Sequence, residues 1–168
     1  VNPKMLPSDD PKTLLCTAGI VLHLLEALRR LGGWDVAVDD FADLAALGTV
    51  ADVVPVIGEN RRLVAAGLPS LSARRRLGIR KLLEVAGFDR PDVTPRDVGF
   101  VIAPRLNAAG RLDTAMKGVQ LLISEEPDSA EEIARVLNRM NEDRQMIGQS
   151  MLQDAMTQVA DRSEERRV

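Results

Sequence analysis

In the run Ala46-Leu47-Gly48-Thr49-Val50-Ala51-Asp52-Val53-Val54-Pro55 one carboxylate stands among small and apolar side chains. An unpaired carboxylate in such surroundings costs several kcal/mol or takes up a proton, so Asp52 needs a partner. A divalent cation such as Mn²⁺ or Mg²⁺, which prefers oxygen ligands, is one candidate. The competing reading is that Asp52 caps a local turn or pairs with Arg61 or Arg62. A second run, Ile102-Ala103-Pro104-Arg105-Leu106-Asn107-Ala108-Ala109-Gly110-Arg111-Leu112-Asp113, sets two arginines and an asparagine around small residues. Small residues let a backbone approach a ligand, and the planar guanidinium fork suits phosphate. Such a run is either a phosphate-binding loop or a tight turn with Arg105 and Arg111 in surface ion pairs.

Other groups carry less. Arg74-Arg75-Arg76 with Arg80 and Lys81 could meet a nucleic-acid backbone, or could be one solvated helix face. Met140, Met146, Met151 and Met156 fall at helical spacing, as core or interface residues do. His23 lies among leucines with no second His or Cys nearby. No Ser/His/Asp set, phosphate-cradling P-loop or paired-cysteine motif is present.

The elements that hold these motifs read as helices. Ser8-Asp9-Asp10-Pro11 is a helix start, and Leu14, Ala18, Val21, Leu22, Leu25 and Leu28 follow at helical spacing until Gly32-Gly33. A second helix from Asp39-Asp40 would end near Val54-Pro55, with a valine-rich strand over Val50–Val56 competing for its end. Glu59–Leu68 and Ala73–Ala86 form two helices separated by Pro69-Ser70. Thr94-Pro95 starts another that runs towards Pro104. A Gly- and Asn-bearing segment, Asn107–Asp113, precedes a short helix over Thr114–Ile123. From about Asp128 to Asp161 the pattern fits one helix of roughly 50 Å, projecting, with few contacts along its C-terminal half.

The 168 residues contain 45% hydrophobic but only 2% aromatic residues, so the core must be aliphatic, which suits helix packing. The net charge of −3 excludes a uniformly basic nucleic-acid binder and leaves only local basic patches. A single cysteine, Cys16, excludes an internal disulfide and multi-thiolate zinc sites. No apolar run is long enough to cross a membrane. No signal peptide is legible, and an opening at Val rather than Met suggests a cut sequence.

In this order, these segments resemble RecJ exonucleases of the DHH phosphoesterase superfamily. Asp43–Asn60, DLAALGTVADVVPVIGEN, is similar to the stretch holding the last metal-binding aspartate of that family. Ile102–Leu112, IAPRLNAAGRL, is similar to a second family signature. Val1-Asn2-Pro3-Lys4 looks like the chain just after the Asp-His-His motif, and Asn141-Glu142-Asp143-Arg144 like the long helix joining the two core domains. The resemblance implies a 5′-to-3′ exonuclease of single-stranded DNA, working with Mn²⁺ or Mg²⁺ in DNA repair and recombination in the cytoplasm. It implies Asp52 as metal ligand and catalytic residue, and Arg105, Asn107 and Arg111 as substrate-binding residues.

The expected architecture is mainly α: residues 1–127 as the C-terminal, helical part of an α/β DHH domain, and 128–168 as a connecting helix with a frayed tail. The remaining carboxylates, the Asp-His-His motif and the N-terminal and C-terminal domains have no counterpart here, so the chain alone is expected to be inactive and to expose apolar surface. A DHH phosphoesterase of short oligonucleotides or cyclic dinucleotides, and a non-catalytic helical interaction module, are the alternative readings.

Overall fold

The computed structural model describes residues 2–7, 9–111 and 115–165, and every regular element among them is helical. The first expected helix is split in two. Pro11–Leu14 forms only a 3₁₀ turn, with the Asp10 carboxylate accepting from the Lys12 N–H. The chain is then extended through Leu15, and α1 (Thr17–Gly32) starts anew with Cys16 as N-cap. It ends at Gly33 in the left-handed conformation.

A 3₁₀ turn, Val38–Phe41, leads into α2 (Ala42–Ala51), and α3 spans Gly58–Ser72. Pro69 does not break α3, because the carbonyl it leaves unbonded, that of Ala65, belongs to an exposed residue. No strand forms over Val50–Val56; the helix runs to Ala51 and the chain turns sharply at Asp52. Helix α4 (Leu77–Val85) follows.

Thr94 starts α5 (Pro95–Asp97) with a capping box. The Thr94 hydroxyl and N–H donate to the Asp97 carboxylate, and the Asp97 N–H donates back to the hydroxyl. The same winding continues through a π-helical turn, Val98–Ile102, into α6 (Ala103–Arg111). The stretch read as a Gly- and Asn-bearing segment is therefore helical as far as Arg111, as Ala108 and Ala109 favour; Leu112, Asp113 and Thr114 lie outside the described residues. Helices α7 (Ala115–Ile123) and α8 (Pro127–Glu165) complete the chain.

The core is aliphatic apart from Phe88. Leu71, Ile79, Leu82, Leu83, Val98, Ile102 and Leu121 meet Ala130, Ala134 and Leu137 of α8, all of them at most 1% exposed. Alanines on α8 let it lie close to α4, α6 and α7. Beyond Asn141 the character of α8 changes: every described side chain from 142 to 159 is exposed, and Met146, Ile147, Met151, Leu152, Met156 and Val159 are 56–69% accessible. The expected projecting helix is thus present, packed along its first half only.

Helices α2 and α3 cross closely at Gly67. A Cβ there would sit 2.1 Å from the Ala42 carbonyl oxygen and 2.5 Å from the Ala46 Cβ. Backbone cannot yield as a side chain can, so Gly67→Ala should destabilise the chain by about 1–3 kcal/mol through overpacking, read as a lower urea midpoint.

Asp97 sets an acid limit. Burial pushes its carboxyl up, but hydrogen bonds from the side chain and backbone of Thr94, with the Arg90 guanidinium, outweigh burial and hold it below the usual range. A lowered carboxylate stabilises fully above its unfolded value, about 4, and the contribution is lost as pH falls through the lower native value. Asp97→Asn should therefore lower the melting temperature at pH 7 and flatten its decline below about pH 4; parallel pH profiles of parent and variant would contradict this.

Candidate metal and nucleic-acid cleft

Asp52 is the C-cap of α2, and its N–H donates to the Gly48 carbonyl at 3.0 Å. The next residue, Val53, has φ 54°. A β-branched side chain in the left-handed region is strained, and such strain persists only where the surroundings fix it. Asn60 supplies part of that fixing from inside α3: its buried amide donates to the Pro55 carbonyl at 2.9 Å and the Leu14 carbonyl at 3.0 Å. One side chain thus ties the segment after Asp52 to the segment before α1.

The start of α1 is bound to α2 as well. Thr49 Oγ1 donates to the Ala45 carbonyl, so the buried Cys16 thiol, 3.5 Å away, donates to Thr49. The Gly19 N–H donates to Cys16 Sγ. Gly48 permits the approach, since a Cβ there would lie 2.5 Å from the Ala18 Cβ.

These contacts leave a cleft of about 270 Å³ where Thr17, Gly48, Ala51 and Asp52 face Asn107 of α6, with Cys16 and Ala18 at its side. The two sequence motifs are therefore brought together at one place, by Asp52 from the first and Asn107 from the second. A neighbouring cleft of about 200 Å³ shares Ala51 and Asn107, and adds Gly99, Pro104 and Arg144 among its walls. Arg144, on α8, was not singled out by sequence reasoning as a site residue; the likeness of Asn141-Glu142-Asp143-Arg144 to a family segment was its only signal. The buried Asn141 receives a hydrogen bond from it at 3.0 Å.

Arg105 goes elsewhere. Its Nε donates to Asn138 Oδ1 of α8 at 2.9 Å, and its Nη1 to the Val101 carbonyl at 2.8 Å. Burial lowers its pKa, and the Glu142 charge opposes that shift. Arg105 is held against α8 and is not among the walls of the Asp52 cleft. Arg111 ends α6, and its side chain lies outside the described residues.

Asp52 is exposed, and no hydrogen bond or ion pair among the described residues engages its carboxylate; Arg62 pairs with Glu59 instead. The bonds at Asp52 are those of its backbone N–H. A free carboxylate beside an amide and a hydroxyl suits one side of a hard-cation site. Among the described residues no group of three His, Cys, Asp or Glu could hold an ion unaided. The donors here therefore fit a metal as part of a larger ligand set.

No family model matches the chain. It is 40% identical over 168 residues to the single-stranded-DNA-specific exonuclease RecJ of Escherichia coli, and 38% identical over 159 residues to that of Bacillus subtilis. Its structure superposes on RecJ from Thermus thermophilus in complex with Mn²⁺ with a TM-score of 0.79 at 38% identity, covering 90% of this chain. The chain is RecJ-like. A second structure, exonuclease RecJ bound to manganese, matches 93% of the RecJ-like chain and 39% of its own, with TM-score 0.81 at 37% identity.

The likeness covers 94% of this chain but 29% of the E. coli protein, and 95% but 20% of the B. subtilis protein. It covers 22% of the T. thermophilus structure. The RecJ-like chain thus spans less than a third of the length of these two curated relatives.

Arg105→Ala should cost about 1–3 kcal/mol, because it strips bonds from the Val101 carbonyl and Asn138. A double-mutant cycle with Asn138→Ala should be non-additive. Additive losses would show that the two residues act separately.

Proposed function

We propose that this chain is the helical segment of a 5′-to-3′ single-stranded-DNA exonuclease. The full-length exonuclease hydrolyses phosphodiester bonds with Mn²⁺ or Mg²⁺, and acts in the cytoplasm in DNA repair and recombination. Residues 1–127 belong to the phosphoesterase domain, and 128–168 form the helix leading to a second core domain. The observation that carries this reading is the meeting of Asp52 and Asn107, from two separate motifs, at one cleft. Two matching structures are RecJ in complex with Mn²⁺ and with Mg²⁺, which supports the choice of ions.

Asp52 would hold an ion through its unpaired carboxylate, with further ligands from parts of the protein outside this chain. A bound divalent ion supplies a water of lowered pKa and neutralises charge on the reacting phosphate. Asn107 would donate its amide to a phosphate oxygen, and Arg144 would add positive charge at the neighbouring wall. Arg105 serves the substrate through α6, fixing the turn on which Asn107 stands. Arg111, at the end of the same helix, is the remaining candidate for phosphate. By itself the chain supplies too few ligands to hold an ion tightly, so it is inactive alone.

Asp52→Asn keeps the shape but removes the charge a hard cation prefers. In the full-length protein it should lower the rate on 5′-labelled single-stranded DNA by more than about 100-fold, since even outer partners of metal ligands cost 10–100-fold. The melting temperature should stay near that of the parent. A near-normal rate would remove Asp52 from the site. For the chain alone, Mn²⁺ should leave the melting temperature unchanged; strong stabilisation that Asp52→Asn abolishes would mean that the chain holds a complete site.

A further inference from the structure

Of the four aromatic residues, three Phe and one Trp, only Phe88 is buried; Phe41 and Trp34 are 37% and 59% exposed, and Phe100 is the most exposed at 73%. Its neighbours Val98 and Ile102 are fully buried, so the π-helical turn divides its residues between core and surface, and Phe100 takes the surface. Burying a phenylalanine is worth roughly 1.5–3 kcal/mol, which this position forgoes in the chain.

Phe100 is not alone. The Arg96 guanidinium lies over its ring, 5.5 Å from the centroid. No ion pair among the described residues engages Arg96, although Asp97 is adjacent in sequence. That carboxylate is occupied by Thr94 and Arg90. Gly99, immediately before Phe100, lines the cleft that shares Ala51 and Asn107 with the Asp52 cleft. Elsewhere, Arg90 and Arg74 lie over the ring of the buried Phe88 at 4.7 and 5.8 Å. An unpaired cation and an exposed ring therefore sit together beside a cleft wall in a chain whose net charge is −3.

We propose that Phe100 and Arg96 form a stacking platform for single-stranded DNA just outside the hydrolytic cleft. A base of a nucleotide flanking the scissile phosphate lies on the exposed ring, and Arg96 takes a neighbouring phosphate. Both properties are indifferent to sequence, because every base has a π-face and every nucleotide a phosphate. This inference rests on the nuclease reading above and adds residues outside the motifs that suggested that reading.

The test uses the full-length protein and fluorescein-labelled oligothymidylate, with anisotropy measured in Ca²⁺ to suppress cleavage. Phe100→Ala should weaken binding by about 10-fold, within the range for one lost base–aromatic stack. Phe100→Trp should bind as tightly as the parent. Arg96→Gln should weaken binding and reduce the slope of log affinity against log salt by about 1. Hydrolysis of a nitrophenyl ester of thymidine monophosphate, too short to reach the platform, should be unchanged in all three.

Equal affinity of Phe100→Ala and the parent would overturn the platform. So would a large drop in melting temperature in Phe100→Ala, since the ring would then be buried against another part of the protein. Failure of the parent itself to bind oligothymidylate or hydrolyse the small ester would instead overturn the nuclease reading.

Discussion

The arrangement depends on one half-buried cation. Arg76, the N-cap of α4, places Nε 2.8 Å and Nη2 3.1 Å from the two carboxylate oxygens of Asp43, which is 3% exposed. The same guanidinium donates to the Leu122 carbonyl at 3.3 Å and the Asp40 carbonyl at 3.2 Å. Four acceptors therefore converge on one planar group, and they come from the turn before α2, from α2, and from the end of α7. Removing charges from water is costly, and a bidentate pair with added carbonyl bonds is the geometry that offsets it. Its gain is placement. Asp43 opens α2 and Asp52 closes it, so the clamp sets where the cleft-facing end of that helix falls.

What the sequence makes legible follows from local physics. Periodicity identifies α1, α3, α4, α7 and α8 because their apolar faces repeat at the helical interval, and Gly32-Gly33 marks a stop for local reasons. The end of α2 is harder. Val50 to Val56 has strand-like composition, and contacts distant in sequence, Gly48 with Ala18 and Asn60 with Leu14, decide for helix and turn. Pro69 reads as a break, yet the carbonyl it leaves unbonded belongs to an exposed residue.

The site shows the same division. Asp52 and Asn107 are readable as motif residues, but their meeting at one cleft is a tertiary fact. Arg105 looks like a phosphate ligand by type and setting, and only the position of Asn138, 33 residues later on another helix, shows what engages it. Arg144 enters the neighbouring wall for the reverse reason: its neighbour Asn141 is buried, which a polar helix face does not announce. Residue type is a local property, whereas the partner of a long, flexible cation is not.

The π-helical turn at Val98–Ile102 has a genetic consequence. The Ala103 N–H reaches back five residues to the Val98 carbonyl, so the turn accommodates one residue more than an α-helix would. In an α-helix each residue advances the side-chain direction by roughly 100°. A π turn spreads one turn of rotation over about one more residue, so the extra residue is taken up without changing the angular phase between the Asp97 cap and the cleft-facing Asn107. Loss of a single codon here would restore regular winding and leave α6 facing as it does, whereas the same loss in the regular winding between Ala103 and Asn107 would turn the side chains beyond it by about 100°. A one-residue change of length is thus absorbed at this turn, a slack that composition does not express and that the α-helical winding on either side lacks.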